Sequence, residues 1–275
     1  METARSLQKE NIKMSQVSFW LMIILFILRY PLLFFGEMGI VPLMVAFVVY
    51  LVATYFFTGL FIYLNRANLQ RYNITNVALL VFLGAPLLAL IAGNDDDLTI
   101  WIRLIIAIGF AVLLFVKRKD WFQNKTIRIS QIIASIIFTA VLCVVLPLVI
   151  HAIKGFPVIE PQSNRLDITF DIPYVWFFQL SSAAISEEPL FRGILWGYLR
   201  TKGIKDIWIC AIQAALFWVG HIYYAGTGIN FWIIHPLVAL LLGIVVWKAK
   251  SISHSMALHA CVNTFADYLR HLPYL

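Results

Sequence analysis

The chain contains six apolar runs that each reach about 17 residues or more, and no other feature constrains its fold as strongly. A helix rises about 1.5 Å per residue, so a run of this length crosses a hydrocarbon layer of about 30 Å. Only 13% of the 275 residues are charged and 61% are hydrophobic, whereas a soluble domain carries roughly 25% charged residues. The sequence therefore predicts an all-α, polytopic transmembrane bundle.

Hydropathy predicts eight or nine membrane-spanning helices, of which the last has the weakest signal. The predicted spans cover residues 17–35, 41–64, 76–92, 98–116, 129–150, 173–199, 207–225, 231–247 and 253–270. They divide one membrane domain into an N-terminal arm (1–16), a first group of helices with an outer loop (17–172, the loop being 151–172) and a last group of helices (173–275).

The net charge of +7 is distributed by side of the membrane, which argues against nucleic-acid binding. Fifteen of the 21 basic residues fall in the N-terminal arm and in every second loop after it. The opposite loops hold mainly acidic residues, which are Glu37, Asp95, Asp96, Asp97, Glu160, Asp167 and Asp171. Because positive loops stay inside, we expect a multi-pass protein with a cytoplasmic N-terminus in a bacterial inner or plasma membrane.

Polar residues at membrane depth are the candidates for function, because each costs free energy unless it is paired or hydrated. Arg29 and Arg103 each lie close enough to the end of a span to reach an interface, so we interpret both as anchors. His235 and His254 are likewise expected at interfaces. The three cysteines, Cys143, Cys210 and Cys261, all lie in apolar segments, where they are expected to pack as small residues.

The sixth predicted span carries three charges near its middle, in the sequence Ser186-Glu187-Glu188-Pro189-Leu190-Phe191-Arg192. Glu188 and Arg192 are four residues apart, which on a helix places them in ion-pair register. Glu187 is rotated by about 100° from Glu188 and has no obvious helical partner. This spacing favours a structural role for Glu188 and a chemical role for Glu187.

Two later helices supply further polar groups. His221 is predicted well inside the seventh span, one turn after Phe217. His259 and Asn263 are four residues apart on the last span, so one helical face presents an imidazole and a carboxamide. Asp267 continues the same face.

These residue types match the requirements of peptide-bond hydrolysis, which are a base that activates water and donors for the oxyanion. Glu187 with His221 can polarise a water, and His259 with Asn263 can donate to the tetrahedral intermediate. Alternatively, Glu187, His221 and His259 could ligate zinc. The nearby serines, Ser181, Ser182 and Ser186, are expected to bond their own backbone.

The three motifs, Glu187-Glu188-x-x-x-Arg192, Phe217-x-x-x-His221 and His259-x-x-x-Asn263, resemble those of the CAAX-protease and bacteriocin-processing (CPBP or Abi) family. These intramembrane proteases are related to the Ras-converting CAAX endopeptidase. The resemblance covers about residues 180–265. It implies that Glu187 and His221 activate water, that His259 and Asn263 form an oxyanion pocket, and that Glu188, Arg192 and Phe217 shape the site. It also implies a glutamate-dependent reaction without a cofactor.

The expected substrate is a membrane-embedded or lipid-anchored peptide, prenylated or exported, and the lipid bilayer is the other expected partner. Two further classes fit the same polar residues. A proton-coupled transporter would use Glu187, His221 and His259 as a relay, but would show repeated halves, and the sequence has none that we detect. A non-catalytic immunity or binding protein would use the same cavity without turnover.

Overall fold

The computed structural model describes residues 14–92, 98–116, 168–228 and 230–270. This part of the chain is 89% helical and contains no strand. Its main helices, in chain order, are α1 (Gln16–Glu37), α2 (Leu43–Leu64), α3 (Asn76–Ala92), α4 (Leu98–Val116), α5 (168–201), α6 (Asp206–Val219), α7 (His235–Ala249) and α8 (Ile252–Arg270). The prediction of an all-α fold is confirmed.

Four of these helices, α1, α2, α4 and the stretch Phe231–Ala249 that includes α7, are long and apolar enough to cross a membrane. A fifth span is possible if α3 is joined to the short 3₁₀ helix Arg66–Tyr72, although the two are bent by 97°. The predicted total of eight or nine spans is therefore not confirmed. The predicted span 129–150 lies outside the described residues, as do most of the N-terminal arm and of the outer loop.

The helices that carry the predicted motifs have a different composition from these spans. Helix α5 interrupts its apolar sequence with Glu187, Glu188 and Arg192, and α6 is only 14 residues long. Helix α5 is also the central element, since it packs against α1, α2, α3, α6 and α8. All of its residues from 184 to 197 are buried. The outer helices expose large apolar side chains instead, such as Ile105 at 66% on α4 and Met44 at 73% on α2.

Two of the helices around the site contain π-helical turns, in which the hydrogen bond reaches one residue further than in an α-helix. One covers Leu28–Leu32 in α1 and contains Pro31, and another begins at Pro189 in α5. A further π turn, Leu180–Ala184, precedes the two glutamates. Proline has no backbone N–H, so it interrupts the regular ladder of hydrogen bonds and favours such a turn.

The seventh predicted span is shorter than expected. Helix α6 ends at Val219, Gly220 caps it, and a 3₁₀ helix then covers Ile222–Thr227. The prediction that His221 lies well inside a helix is therefore wrong, because this residue follows the helix end. Cys210 and Cys261 are both buried, in agreement with the packing role expected of them, whereas Cys143 lies outside the described residues.

Candidate active site

Glu187 and Glu188 lie in a four-residue α-helical turn, Ile185–Glu188, between the two π turns of α5. Both are buried, Glu187 at 7% exposure and Glu188 at 0%. Consecutive residues on a helix point about 100° apart, so the two carboxylates contact different neighbours.

Glu188 forms the ion pair predicted from its spacing. Its Oε1 lies 3.1 Å from Nη1 of Arg192, and both side chains are fully buried. Arg192 also donates to the carbonyl of Ala239 at 3.3 Å. Its guanidinium lies over the ring of Phe217, with 4.2 Å from Cζ to the ring centroid. The prediction of an i, i+4 pair is confirmed.

The same oxygen of Glu188 orients His259 on α8. Nδ1 of His259 lies 2.8 Å from Oε1 of Glu188, which fixes the plane of the imidazole. The opposite nitrogen, Nε2, then faces Glu187 and lies 3.7 Å from its Oε2. Glu188 therefore connects the Arg192 ion pair to the imidazole that faces Glu187.

His221 approaches Glu187 from another side. Its Nε2 lies 3.8 Å from Oε1 of Glu187, and its Nδ1 lies 2.8 Å from the carbonyl oxygen of Phe217. The ring is 8% exposed. His235, which we expected at an interface, adjoins this group, because its ring centroid lies 5.2 Å from that of His221.

Phe217 fills the space between the two imidazoles. Its ring centroid lies 4.6 Å from that of His221 and 5.7 Å from that of His259. Together with the guanidinium of Arg192, these contacts place Phe217 at the centre of the cluster, where a residue that shapes the site was predicted.

Arg29 is a site residue that the sequence motifs do not indicate. It is fully buried, and its Nη2 lies 2.9 Å from Oε1 of Glu187 and 2.8 Å from Nε2 of His221. Its Nη1 donates to the carbonyl of Gly220 at 3.2 Å. The interpretation of Arg29 as an interfacial anchor is wrong, and Glu187, which has no obvious partner on its own helix, pairs with this arginine of α1. The available signal was an arginine about two turns before the end of its apolar run.

Arg103 is also fully buried, so its interpretation as an anchor is wrong as well. Its Nη1 donates to the carbonyl of Ser181 at 2.8 Å and to the hydroxyl of the same residue at 3.1 Å. These contacts join α4 to α5 at Ser181, which precedes both glutamates in the chain. Arg103 is therefore a fully buried arginine like Arg29, but its hydrogen bonds to Ser181 connect two helices and do not hold a carboxylate or an imidazole.

Asn263 lies one turn beyond His259 on α8, as predicted, and is half-buried. Its Nδ2 donates to Oε1 of Gln179 at 3.2 Å. The structure thus brings Glu187, His221, His259, Glu188, Arg192 and Phe217 together in direct contacts, whereas the hydrogen bond of Asn263 runs to Gln179, just before the π turn Leu180–Ala184 of α5. The side chain of Asp267 lies outside the described residues.

The nearby serines form the local bonds expected of them. The hydroxyl groups of Ser181 and Ser182 donate to the carbonyl of Phe178 at 3.0 and 2.7 Å, and that of Ser186 donates to Ala183 at 3.0 Å. Bonds of this kind occupy the hydroxyl proton and leave these side chains in a packing role.

The described residues contain no group of three or more His, Cys, Asp or Glu side chains arranged to hold a metal ion. Glu187, His221 and His259, the alternative zinc ligands, nevertheless lie close together, with 3.8 and 3.7 Å from the carboxylate to the two imidazoles. The guanidinium of Arg29 contacts Oε1 of Glu187 and Nε2 of His221, so zinc could bind through these two atoms only if the guanidinium moved away.

The fold and the site define a class of protein: an all-helical integral membrane protein with a buried cluster of carboxylates, imidazoles and arginines. Residues 169–265 match the family model described as Type II CAAX prenyl endopeptidase Rce1-like. The family resemblance predicted from the motifs is therefore confirmed over this segment, and it points to a protease. No curated protein and no solved structure matches the chain.

Proposed function

We propose that this protein is an intramembrane endopeptidase that hydrolyses a peptide bond of a membrane-associated peptide. One observation carries the proposal: the carboxylate of Glu187 faces two imidazoles from different elements, at 3.8 Å from His221 and 3.7 Å from His259. A carboxylate between two imidazoles, enclosed by helices, can take a proton from water and pass it to a leaving amine.

Oε2 of Glu187 is the atom best placed to bind the attacking water. It is buried, and it has no hydrogen-bond partner among the described residues, whereas Oε1 pairs with Arg29. We expect the water to bind between this oxygen and the imidazoles, and His259 with Asn263 to stabilise the oxyanion. Such donors are most effective where bulk water is excluded, at about 3 kcal/mol each.

The contacts of Arg29 support a reaction without a metal ion. Zinc ligation by Nε2 of His221 would require the guanidinium to leave this nitrogen, and would place a divalent cation beside a permanent positive charge. We therefore derive no step through zinc, and propose a glutamate-dependent reaction in which the buried charges of the chain itself stabilise the transition state.

The substrate class follows from the family and from the surroundings of the site. A membrane-embedded or lipid-anchored peptide, prenylated or exported, can approach a cluster enclosed by helices from within the bilayer. We place the N-terminus in the cytoplasm on the distribution of basic loops, and the protein in a bacterial inner or plasma membrane.

Substitution of Glu187 tests the proposal. Purified protein in lipid vesicles should cleave a membrane-presented peptide found by comparing membrane-peptide termini with and without the protein. We expect Glu187→Gln to lower the turnover number by at least about 100-fold, because the general base is lost. Glu187→Asp keeps the charge that pairs with Arg29 but withdraws the carboxylate, and should lose activity while still folding.

Glu37→Gln is the matched control, because Glu37 is an exposed carboxylate at the end of α1. It should cleave like the wild type. Wild-type turnover in both Glu187 variants would refute the assignment of the base.

Removal of metal tests the zinc alternative separately. We expect full turnover after dialysis against a zinc chelator and no metal above background in the purified protein by elemental analysis. Inactivation by the chelator with recovery on adding zinc would contradict the metal-free proposal.

A further inference from the structure

Arg29 connects the site to a part of the chain that the family match does not include. The match begins at residue 169, and Arg29 lies on α1. The guanidinium nevertheless makes three contacts inside the cluster, to Glu187, His221 and the carbonyl of Gly220. Because this charge is fully buried, its partners are fixed by the fold.

These contacts determine which nitrogen of His221 carries the proton. A guanidinium can only donate, and Nη2 lies 2.8 Å from Nε2 of His221, so its positive charge disfavours a proton on Nε2. Nδ1 lies 2.8 Å from the carbonyl of Phe217, which can only accept, so this contact favours a proton on Nδ1. Nη2 also lies 3.3 Å from Nδ1, a longer approach. In the opposite tautomer, a proton on Nε2 would face the guanidinium of Arg29, and the lone pair of Nδ1 would face the carbonyl oxygen of Phe217.

The same guanidinium distinguishes the two oxygens of Glu187. Nη2 lies 2.9 Å from Oε1, while Oε2 faces His259 at 3.7 Å. An oxygen that shares its charge with a guanidinium is a poorer proton acceptor than the other oxygen of the same carboxylate. The contact therefore directs the reactive oxygen toward α8.

Tyr30, the residue next to Arg29 on α1, also contacts the end of α6. The hydroxyl of Tyr30 donates to the carbonyl of Leu216 near the end of α6. Gly220 lets the ring of Tyr30 approach closely, since a Cβ at this position would lie 3.1 Å from Cε1 of the ring. Helix α1 thus contacts the end of α6 through both Arg29 and Tyr30.

We infer that Arg29 is a positioning residue, which holds His221 as the neutral tautomer protonated at Nδ1 and leaves Oε2 of Glu187 free for water. The assignment of the tautomer stands on geometry alone, whereas the effect on turnover rests on the proposed function. Residues 169–265 would then be incomplete as a hydrolytic site, because the cation that arranges two of their side chains comes from α1.

Nitrogen NMR of the full chain tests the tautomer without any substrate. The protein is labelled with ¹⁵N-histidine in lipid nanodiscs, and His221→Gln identifies the signals of this residue. We expect the wild type to show one tautomer, protonated at Nδ1. Arg29→Gln should convert the signals to a mixture, whereas Arg103→Gln should leave them unchanged. Protonation at Nε2 in the wild type, or identical spectra in Arg29→Gln, would overturn the inference.

Turnover gives the second readout. Loss of a group that orients a reacting side chain commonly costs 10- to 100-fold. We expect Arg29→Gln to lower kcat by about that factor per folded molecule, with KM nearly unchanged. Arg103→Gln, a matched buried arginine, should keep kcat within about threefold, since its hydrogen bonds to Ser181 on α5 and Thr99 on α4 do not hold Glu187 or His221.

Arg29→Lys tests the role of the guanidinium if Arg29→Gln does not fold. An ammonium keeps the charge but cannot reach both acceptors with the same geometry, so we expect partial activity and a mixed tautomer. Wild-type kcat with the wild-type spectrum in this variant would contradict the role of the guanidinium. If turnover depends on Glu187 but not on Arg29, the inference fails and the proposed function stands. If the tautomer changes in Arg29→Gln but the wild type cleaves no peptide, the inference stands and the proposed function fails.

Discussion

Glu187 and Glu188 are neighbours in the chain with opposite surroundings. Glu188 is fully buried, and its Oε1 contacts both Arg192 and His259. Glu187 is slightly exposed, its Oε1 pairs with Arg29, and its Oε2 faces His259 at 3.7 Å. Two carboxylates separated by one peptide bond can therefore serve different purposes, one fixing an imidazole and the other accepting a proton.

Glu188→Gln should lower both stability and turnover. The substitution removes the charge that neutralises Arg192 and weakens the bond that orients His259. Removing one partner of a buried ion pair costs about 3–5 kcal/mol. Thermal unfolding in detergent and cleavage in vesicles would measure the two effects. An unfolding midpoint equal to that of Glu37→Gln would contradict the structural role of Glu188.

Sequence spacing predicts some of these contacts and not others. The pair Glu188 with Arg192 follows from a four-residue interval on one helix. The contact between Arg29 and His221 joins residues 192 positions apart, and it depends on how α1 packs against the end of α6. No local periodicity contains that information. A buried arginine also resembles an anchor in sequence, because its aliphatic stem permits both positions.

The π turns are concentrated around the site. Arg29 lies in one of them, and two others enclose the turn that carries Glu187 and Glu188. A fourth, Asn230–Ile234, leads directly into His235. A π turn rotates the residues that follow it relative to a regular helix, so it can redirect a side chain without ending the helix. Hydropathy does not detect this rotation, so the predicted spans do not reveal the partners of these side chains.

Gly220→Ala tests the packing of α1 against α6. The new Cβ would lie 3.1 and 3.2 Å from two atoms of the Tyr30 ring and 3.3 Å from the carbonyl of Phe217. We expect α1 to shift, the contacts of Arg29 to lengthen and turnover to fall by roughly 10-fold, as for other losses of orientation. Overpacking of this kind also costs about 1–3 kcal/mol of stability.

Gly84→Ala is the control for that substitution. Gly84 lies inside α3, and a Cβ there would meet nothing within 4 Å. Alanine should leave turnover unchanged and stabilise the helix by up to about 1 kcal/mol. Equal turnover in Gly220→Ala and Gly84→Ala would show that the close contact between Tyr30 and Gly220 does not affect function.

Charged residues at one end of the molecule join the helices that carry the site. Asp206, at the beginning of α6, accepts from Arg200 at 2.8 Å and from Lys250 at 2.7 Å. Its Oδ1 also accepts from the indole of Trp196 at 3.0 Å. This cluster connects the end of α5, the beginning of α6 and the turn between α7 and α8. It lies in the region where the distribution of basic residues predicts the cytoplasmic side.

The pH dependence of Asp206 follows from these contacts. Burial opposes ionisation, but the hydrogen bonds from Arg200 and Lys250 outweigh it and hold the pKa of Asp206 well below its usual range. A carboxylate with a lowered pKa contributes stability above its unfolded value of about 3.9, and the contribution is lost as the pH falls below it. We expect Asp206→Asn to lower the unfolding midpoint at pH 7 and the difference to shrink below about pH 4. A difference that is independent of pH would contradict this account.

At the level of the whole chain, the sequence predicts the class of fold better than the number of spans. A run of apolar residues indicates that a segment is shielded from water. It does not distinguish a helix that faces lipid from one that is enclosed by other helices. Helix α5 illustrates the difference, because it is central in the bundle and is not among the four helices that are long and apolar enough to cross a membrane. The predicted helix 129–150 remains a prediction, since it lies outside the described residues.

Activation of a water molecule by Glu187 can be measured through cleavage of a membrane-presented peptide in H₂¹⁸O, with mass spectrometry of the products. The wild type and Glu187→Asp are compared. We expect one ¹⁸O atom in the new carboxyl terminus for the wild type, and product formation at least about 100-fold slower for Glu187→Asp. Labelled product formed at the same rate by both proteins would contradict it.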